Sequence, residues 1–422
     1  MNSKLSTFFG IALASSVAFA QQGVTKPQTE SSRPTGFRFF NNHLTIKPYV
    51  SLSYEYDSNI DTAHHAEDDS IFAVSPGADF LWHGEKWALS GSIWYRYRYF
   101  CEFNRQMGEN SYGEGLSYKY SSSKKNEKGW SLMLAEKYGF YNQSDDLTTR
   151  DGRGVWRDRE SLDVAGVLER RFTERWHADV TGQFNWIDYK NDTGRYAPLY
   201  GYSEYSAGIQ AGYAASKWTD LLVAAGYSRY IQRTNAMGVS LNRNYSNNSD
   251  AYSVMGGLGS HMTKQITYRA LVGASWFDYG NAGDTDCGST YTLSANWRIH
   301  RQVQLSVVGS SFYQPSERYV GQAVKVYTLG AGVSYLTLGD RLNLTGNVSW
   351  RYEENIYSDS YYTRRQNYDE TWLSARIGAD YLVNRWMSVF ANIRWEQEWC
   401  GNGNNNYDYD RLRGSVGVRF HY

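Results

Sequence analysis

The chain has 422 residues, with 43 Lys and Arg residues against 43 Asp and Glu residues and a mean hydropathy of −0.61. This hydropathy excludes a bundle of membrane helices, and the balanced charge gives no support for a nucleic-acid-binding surface or an acidic tail. Aromatic residues make up 16% of the chain and 39 Gly stand against 6 Pro, a composition that favours many strands and few rigid linkers.

The first twenty residues have the pattern of a secretory signal peptide. Lys4 precedes an apolar stretch over 8–13, and the small residues Ala18 and Ala20 fit cleavage after Ala20. The alternative is a single anchoring helix, for which the apolar stretch is short. Residues 21–45 are polar and include two Pro residues, so we expect a loosely ordered periplasmic leader there, followed by one domain over 46–422.

From about Ile46 onward, apolar and polar residues alternate at every second position in segments of ten to fifteen residues, which is long for soluble strands. In one segment Leu89, Ile93 and Tyr97 share a face, while Arg96 and Arg98 lie on the other. About twelve steps of about 3.4 Å, tilted by about 40°, climb roughly 30 Å, the thickness of the apolar part of a bilayer. The pattern predicts membrane-spanning β-strands.

Short and long connections alternate along the chain, which a soluble sandwich does not require. Tight turns are predicted at 83–86, 121–129, 172–175, 216–219, 261–265, 300–302, 338–340 and 384–385. With the longer polar loops between them, they predict an all-β transmembrane antiparallel barrel of about eighteen strands, with sixteen left open. The short turns would be periplasmic and the long loops extracellular.

Aromatic residues cluster near both kinds of connection and predict two girdles at headgroup level. The first comprises Trp82, Trp87, Trp130, Trp176, Trp218 and Trp386, beside the short turns. The second comprises Tyr97, Tyr99, Tyr138, Phe140, Tyr227, Trp276, Tyr313, Trp350 and Trp395, toward the long loops.

One segment departs from this pattern. The alternation from Trp130 to Phe140 places Glu136 at the middle of the membrane, and the opposite register would expose Lys137 instead. Either a bulge or a protein contact, such as an interface in a homo-oligomer, would accommodate the carboxylate.

The polar face of the strands would line the interior of the barrel. The candidate pore-lining residues are Arg96, Arg98, Arg269, Arg298, Arg351, Glu353, Arg376, Asp380, Arg394, Glu396, Arg413 and Arg419. They favour a porin-like channel for passive diffusion of small polar solutes or sugars, with a mild preference for anions or polyols. Alternatively, the charges pair across the interior only to hold its shape. Inward aromatic residues would either form a surface for sugars or pack under an inward-folded loop; they are Trp94, Phe277, Phe312, Trp372 and Phe390.

Other clusters indicate little chemistry. The acidic and histidine residues of 57–69 match no calcium-loop spacing, so a solvated loop is favoured over a cation site. Cys101, Cys287 and Cys400 fall on strands that are not adjacent, so we expect free thiols. Since no nucleophile motif organises the Ser, His and Asp residues, we expect neither an enzyme nor a bound metal or cofactor.

The last predicted strand ends on an aromatic residue. Val416, Val418, Phe420 and Tyr422 alternate with polar residues, and this pattern resembles the terminal signal that the outer-membrane barrel assembly machinery reads.

A Tyr-x-Tyr-Asp-Ser-Asn turn at 54–59 and the segment Ser75-Pro76-Gly77 resemble the beta-barrel porin 2 family of outer-membrane proteins. The similarity is close over 48–82 and architectural elsewhere. It implies an integral outer-membrane barrel in contact with lipid and lipopolysaccharide, with small polar solutes or saccharides as further partners and no nucleic acid. Because some relatives accompany exopolysaccharide export, the resemblance also implies an alternative: a barrel for export or envelope architecture, closed by its loops.

Overall fold

The structure is a computed structural model that describes residues 36–59, 68–101, 109–122, 128–143, 157–190, 201–232, 248–260, 265–280, 284–316, 322–357, 368–401 and 408–422. The expected signal peptide, most of the leader and much of the first acidic loop lie outside these residues. The strands are β1 Phe37–Phe39, β2 Leu44–Asp57, β3 Asp69–His83, β4 Trp87–Phe100, β5 Glu109–Ser121, β6 Gly129–Gln143, β7 Arg157–Arg171, β8 Trp176–Lys190, β9 Tyr202–Ala214, β10 Thr219–Gln232, β11 Asn248–Ser260, β12 Ile266–Asp278, β13 Thr285–His300, β14 Val303–Pro315, β15 Gln322–Thr337, β16 Leu342–Tyr357, β17 Tyr368–Asn384, β18 Met387–Cys400 and β19 Tyr409–His421.

Strands β2 to β19 form a closed antiparallel barrel. Each strand pairs with the next one along the chain, and β19 pairs with β2 from Arg413 opposite Asp57 to His421 opposite Tyr49. The pairing of β19 with β2 closes the sheet on itself, and a membrane-spanning sheet needs such closure because lipid cannot hydrogen-bond to the backbone. The predicted all-β barrel is confirmed, and among the described residues the barrel has eighteen strands rather than sixteen.

The two ends of the barrel differ as the turn pattern predicts. At one end, which we call the short-turn end, the chain reverses over a few residues, as at Leu338 to Arg341 between β15 and β16. Leu338, Gly339 and Asp340 all have positive φ, so the backbone of this tight turn adopts the left-handed conformation at three consecutive residues. We call the opposite end, where the longer connections leave the strands, the long-loop end.

The outer surface of the barrel is apolar. Ile93 is 56% exposed, Val272 66% and Ile377 71%, whereas the residues beside each of them in sequence face inward. A band of such side chains around a closed barrel is suited to lipid. The tryptophans of the first predicted girdle border the short-turn end, and Trp176 and Trp218 are more than half exposed there. No helix among the described residues is long and apolar enough to cross a membrane.

The strand β1 lies inside the segment predicted to be a loosely ordered leader. Phe37–Phe39 pairs with Leu44 to Ile46, the part of β2 that extends beyond the end of β19. The Phe37 ring stacks on Tyr422 with centroids 4.0 Å apart. The reversal between β1 and β2 uses positive φ at Phe40, Asn41 and Asn42. This short strand, which lies within 21–45, thus covers the end of β2 that β19 does not reach.

The long-loop end of the same seam is closed by the Asp-Ser-Asn motif. Asp57 accepts three hydrogen bonds from Arg411, of 2.6, 2.9 and 3.1 Å. Ser58 Oγ accepts a 2.8 Å bond from the Leu412 backbone N–H, and the Asn59 side chain donates to the Asp410 carbonyl at 3.2 Å. The motif thus joins the first strand of the barrel to the last.

Glu136 faces outward at the middle of β6. The pairing of β6 with β5 and β7 is continuous, with Glu136 between Leu116 and Val164, so the bulge, one of the two alternatives for this segment, is absent. Glu114 of β5 also faces outward, in a position diagonal to Glu136. Lys137 points to the interior, opposite Asp163. The lipid-facing surface of β5 and β6 therefore carries two carboxylates near mid-height.

Candidate functional site: the interior of the barrel

The strand alternation places all twelve candidate pore-lining residues on the inner face. The apolar neighbours that face outward fix this parity, for example Ile377 beside Arg376 and Ile393 beside Arg394. The inward residues differ, however, in their access to solvent. The side chains of Arg351, Arg394 and Arg96 are 46%, 36% and 33% exposed, whereas Arg269 is buried.

Three of these arginines lie directly opposite one another on neighbouring strands. Arg376 of β17 pairs with Arg394 of β18, which pairs with Arg413 of β19. We call these residues the arginine row. Arg394 and Arg413 each donate to a different oxygen of Glu396, so one carboxylate serves two guanidinium groups.

Arg376 is the member of the row without an acidic partner. Its guanidinium donates to Asn392 Oδ1 at 2.9 Å, its side chain is exposed, and no described carboxylate lies within 4.0 Å of it. Like charges directly opposite on neighbouring strands repel, and the positive charge of Arg376 is not balanced by a described carboxylate within 4.0 Å. The sequence predicts each arginine separately, but only the register shows that they are aligned.

Other inward charges form local ion pairs. Arg351 pairs with Glu353, while Arg96 and Arg98 both approach Glu55. Arg419 lies 3.9 Å from Asp380. Inward aromatic rings sit beside some of these cations: the Arg351 guanidinium is 5.5 Å from the centre of Trp372, and Arg419 is 5.4 Å from that of Phe390. These two rings thus lie beside arginine side chains, a contact that neither sequence hypothesis for the inward aromatic residues includes.

Arg269 is a correction to the candidate list. It faces inward but is buried, and it donates to Gln210, whose amide donates in turn to Asp179 at 3.0 Å. An apolar cluster from β10, β11 and β12 lies in the same sector; it comprises Leu222, Ala224, Met255 and Leu271. Alternation predicts that Arg269 lies on the inner face and, on that basis, that it is exposed to solvent. It does not predict the neighbouring side chains that bury it.

The upper part of β14 leaves the barrel wall. Pairing of β13 with β14 stops at Thr292 opposite Ser310, although both strands continue toward the long-loop end. Beyond this point side chains replace the ladder: Thr290 Oγ1 donates to the Ser311 carbonyl at 2.6 Å, and Ser311 Oγ accepts a 3.0 Å bond from the Tyr291 N–H. β14 remains paired with β15, so the two strands separate from β13 together.

Residues 311–315 and 322–326, which we call the inward-folded segment, lie inside the barrel. Lys325 and Val326 are consecutive and so point to opposite faces of β15, yet they are 1% and 0% exposed. In a barrel wall one of these faces would meet lipid. Tyr313, predicted for the outer aromatic girdle, is buried here as well, because its strand turns inward before reaching the membrane interface.

The inward-folded segment is held against the inner faces of β10 and β12. Tyr230 donates its hydroxyl proton to the Tyr313 carbonyl at 3.0 Å. The Lys325 ammonium donates to Ser275 Oγ at 2.7 Å and lies 3.9 Å from the centre of the Tyr313 ring. The surrounding buried cluster comprises Ile187, Tyr189, Tyr202, Tyr230, Phe277, Tyr279, Tyr313 and Ala323.

The same cluster continues past the end of β12. Tyr279 donates to Asp286, and burial together with this hydrogen bond holds the pKa of Tyr279 above its ordinary value, so its hydroxyl keeps the proton. Phe277 packs edge-on against Tyr279 with ring centroids 5.1 Å apart. Phe277 therefore packs beneath an inward-folded element, as one of the two sequence hypotheses expects, but the element is the end of two strands, β14 and β15, and not a loop.

One described group of side chains has the donors for a metal ion. Glu370, Glu398 and Cys400 have ligand atoms within 4.8 Å of one another on the inner face near the long-loop end. Asn355 donates to the second oxygen of Glu370 at 3.5 Å. The sequence predicts no bound metal. It does not indicate this group, because Glu370 lies on β17 whereas Glu398 and Cys400 lie on β18, and the two strands meet only in the folded sheet. Cys101, Cys287 and Cys400 form no disulfide bond among the described residues.

No protein-family model and no curated protein matches this chain. Solved structures that resemble it include a mutant of the ferric enterobactin receptor PfeA from Pseudomonas aeruginosa, at 6% identity and a TM-score of 0.45, covering 89% of this chain and 80% of that one. The copper transporter OprC has 9% identity and a TM-score of 0.46, over 92% and 81% of the two chains. A loop-deletion mutant of OmpT, an outer membrane protein of Vibrio cholerae, has 11% identity and a TM-score of 0.35, over 90% and 100%.

The closed barrel, its apolar outer band and its polar inner face define the class of this protein. It is an integral outer-membrane β-barrel, because its strands close into one antiparallel sheet that pairs their backbones with one another and because the apolar residues face outward.

Proposed function

We propose that this barrel is a passive channel for small polar solutes, including sugars, and that it catalyses no reaction. The observation that carries the proposal is the exposure of charged side chains inside a closed wall. Arg351, Arg394 and Arg96 retain between a third and a half of their exposed area although the sheet separates them from lipid. Water on the inner side accounts for this, and guanidinium groups beside it can replace part of the hydration of a passing solute.

The proposal also places the protein in the beta-barrel porin 2 family, on the motif at 54–59. The contacts of Asp57, Ser58 and Asn59 with β19 give this motif a structural role. The proposed partners are outer-membrane lipid and lipopolysaccharide at the apolar band, and the barrel assembly machinery at Val416 to Tyr422.

Single-channel recording of the purified full chain in a planar bilayer tests the channel. We expect ohmic conductance steps in KCl. We expect Arg394→Trp to lower the single-channel conductance, because a larger apolar side chain would narrow the water-filled part of the interior. Arg170→Trp is the matched control, since Arg170 faces outward on β7. The absence of steps in every folded preparation would overturn the channel.

The inward-folded segment favours a second candidate function. It fills part of the interior at the long-loop end, which suits a barrel that serves polysaccharide export or envelope architecture and is closed to small solutes. Loss of surface glycan on deletion of the gene, together with a silent bilayer, would support this candidate. Normal glycan in the deletion strain would count against it.

A further inference from the structure

We infer that the arginine row is a binding site for small oxyanions, and that it gives the barrel a preference for solutes bearing a carboxylate or phosphate group. The inference rests on the proposed channel for its transport consequence. The geometry behind it is the alignment of Arg376, Arg394 and Arg413 across three strands, near the middle of β17 and β18.

The charge on the row is only partly compensated. Glu396 uses one oxygen for Arg394 and the other for Arg413, so it has no free oxygen to offer Arg376. The neighbouring carboxylates are engaged as well: Asp57, opposite Arg413, accepts from Arg411, and Asp380 lies near Arg419. Arg394 and Arg413 therefore share Glu396, while Arg376 has no described carboxylate within 4.0 Å.

The exposed arginine is placed to receive an anion. Arg376 has Asn347 on one side and Arg394 on the other, and its hydrogen bond to Asn392 orients the guanidinium without neutralising it. Guanidinium groups bind carboxylate and phosphate through two parallel hydrogen bonds. An oxyanion at Arg376 would supply the negative charge that no described carboxylate supplies to this guanidinium, and Asn347 and Asn392 could bond its neutral substituents.

Ion selectivity tests the transport consequence. Under a KCl gradient we expect the wild type to favour chloride over potassium, Arg376→Gln to lower this permeability ratio at least about two-fold, and Glu396→Gln to raise it. Arg170→Gln removes the same charge from the outer surface and should leave the ratio unchanged. A ratio equal in wild type and Arg376→Gln, or a shift of equal size in Arg170→Gln, would overturn the inference.

Binding is measured separately, so that the site and the channel can fail independently. We expect inorganic phosphate to raise the unfolding temperature of the detergent-solubilised full chain, because a ligand that binds only the folded state stabilises it. Arg376→Gln should lose most of this shift, compared at equal ionic strength with sodium chloride. If no preparation conducts, the proposed channel is wrong. A phosphate-induced rise in unfolding temperature that depends on Arg376 would still support the binding site. Equal shifts in both proteins would overturn the site whether or not the barrel conducts.

Discussion

Glu136 shows how one residue can conflict with the surface around it. Its carboxylate lies at mid-height between Leu116 and Val164, on a lipid-facing surface where Glu114 of β5 is a second outward carboxylate. A charged group there is unfavourable, less so for Glu than for Lys or Arg. Natural barrels retain such groups where a contact or a function compensates, so Glu136 is informative about what covers this face.

We expect Glu136→Leu to raise the free energy of unfolding by about 1–2 kcal/mol, because leucine removes the carboxylate from the apolar band. Urea unfolding in lipid vesicles, followed by tryptophan fluorescence, measures the change. Glu85→Leu, in the turn between β3 and β4, is the control and should alter stability by less than about 0.5 kcal/mol. A destabilised Glu136→Leu protein would show instead that the carboxylate has a stabilising partner, such as another subunit.

The sequence predicts which face each residue occupies, but not its burial. Two-residue alternation correctly places Arg376, Arg394 and Arg413 inward, because a strand has only two faces. It cannot show that they are aligned, since register depends on pairing between strands. Nor can it show that Arg269 is covered by its surroundings. One signal was available for the inward fold: Lys325 occupies a position that alternation assigns to the apolar outer face.

At the scale of elements, the inward-folded segment depends on a few polar contacts. Tyr230 and the Tyr313 carbonyl are joined by a buried hydrogen bond, and Lys325 reaches Ser275 across the interior. The turns and strand boundaries were predictable because turn residues and alternation are local. The departure of β14 from β13 was not, because it depends on contacts between strands far apart in sequence.

We expect Tyr230→Phe to lower the free energy of unfolding by about 1–2 kcal/mol, because it leaves the buried Tyr313 carbonyl without its donor. Tyr227→Phe, on the same strand, is the matched control: Tyr227 donates to Asp250 at 2.6 Å but is exposed, so its loss should matter less. Chemical denaturation in detergent compares the two variants. Equal effects would indicate that the Tyr230 contact does not hold the segment.

At the scale of the whole molecule, the barrel depends on one seam that joins residues far apart in sequence. The strands β2 and β19 meet there, and a side-chain contact lies at each end of the seam. Phe37 stacks on Tyr422 at the short-turn end, and Asp57 forms an ion pair with Arg411 at the long-loop end. Every other strand pair is joined by a connection of the chain itself. No such connection joins β2 to β19, so we expect side-chain contacts to add to the stability of this strand pair.

Of these two contacts, we expect the ion pair at the long-loop end to contribute more to the free energy of unfolding. The side chains of Arg411 and Asp57 are 2% and 5% exposed, so removing the carboxylate takes from a buried guanidinium the counter-ion to which it donates three hydrogen bonds. We expect Asp57→Asn to lower the free energy of unfolding by about 3 kcal/mol or more. The compact band that folded barrel gives on unboiled detergent gels should then disappear at a lower temperature. Asp380→Asn is the matched control, since Asp380 lies 3.9 Å from Arg419 in a partly exposed pair that should contribute less than about 1 kcal/mol. Equal stability of the two variants would show that pairing of the backbones alone closes the barrel.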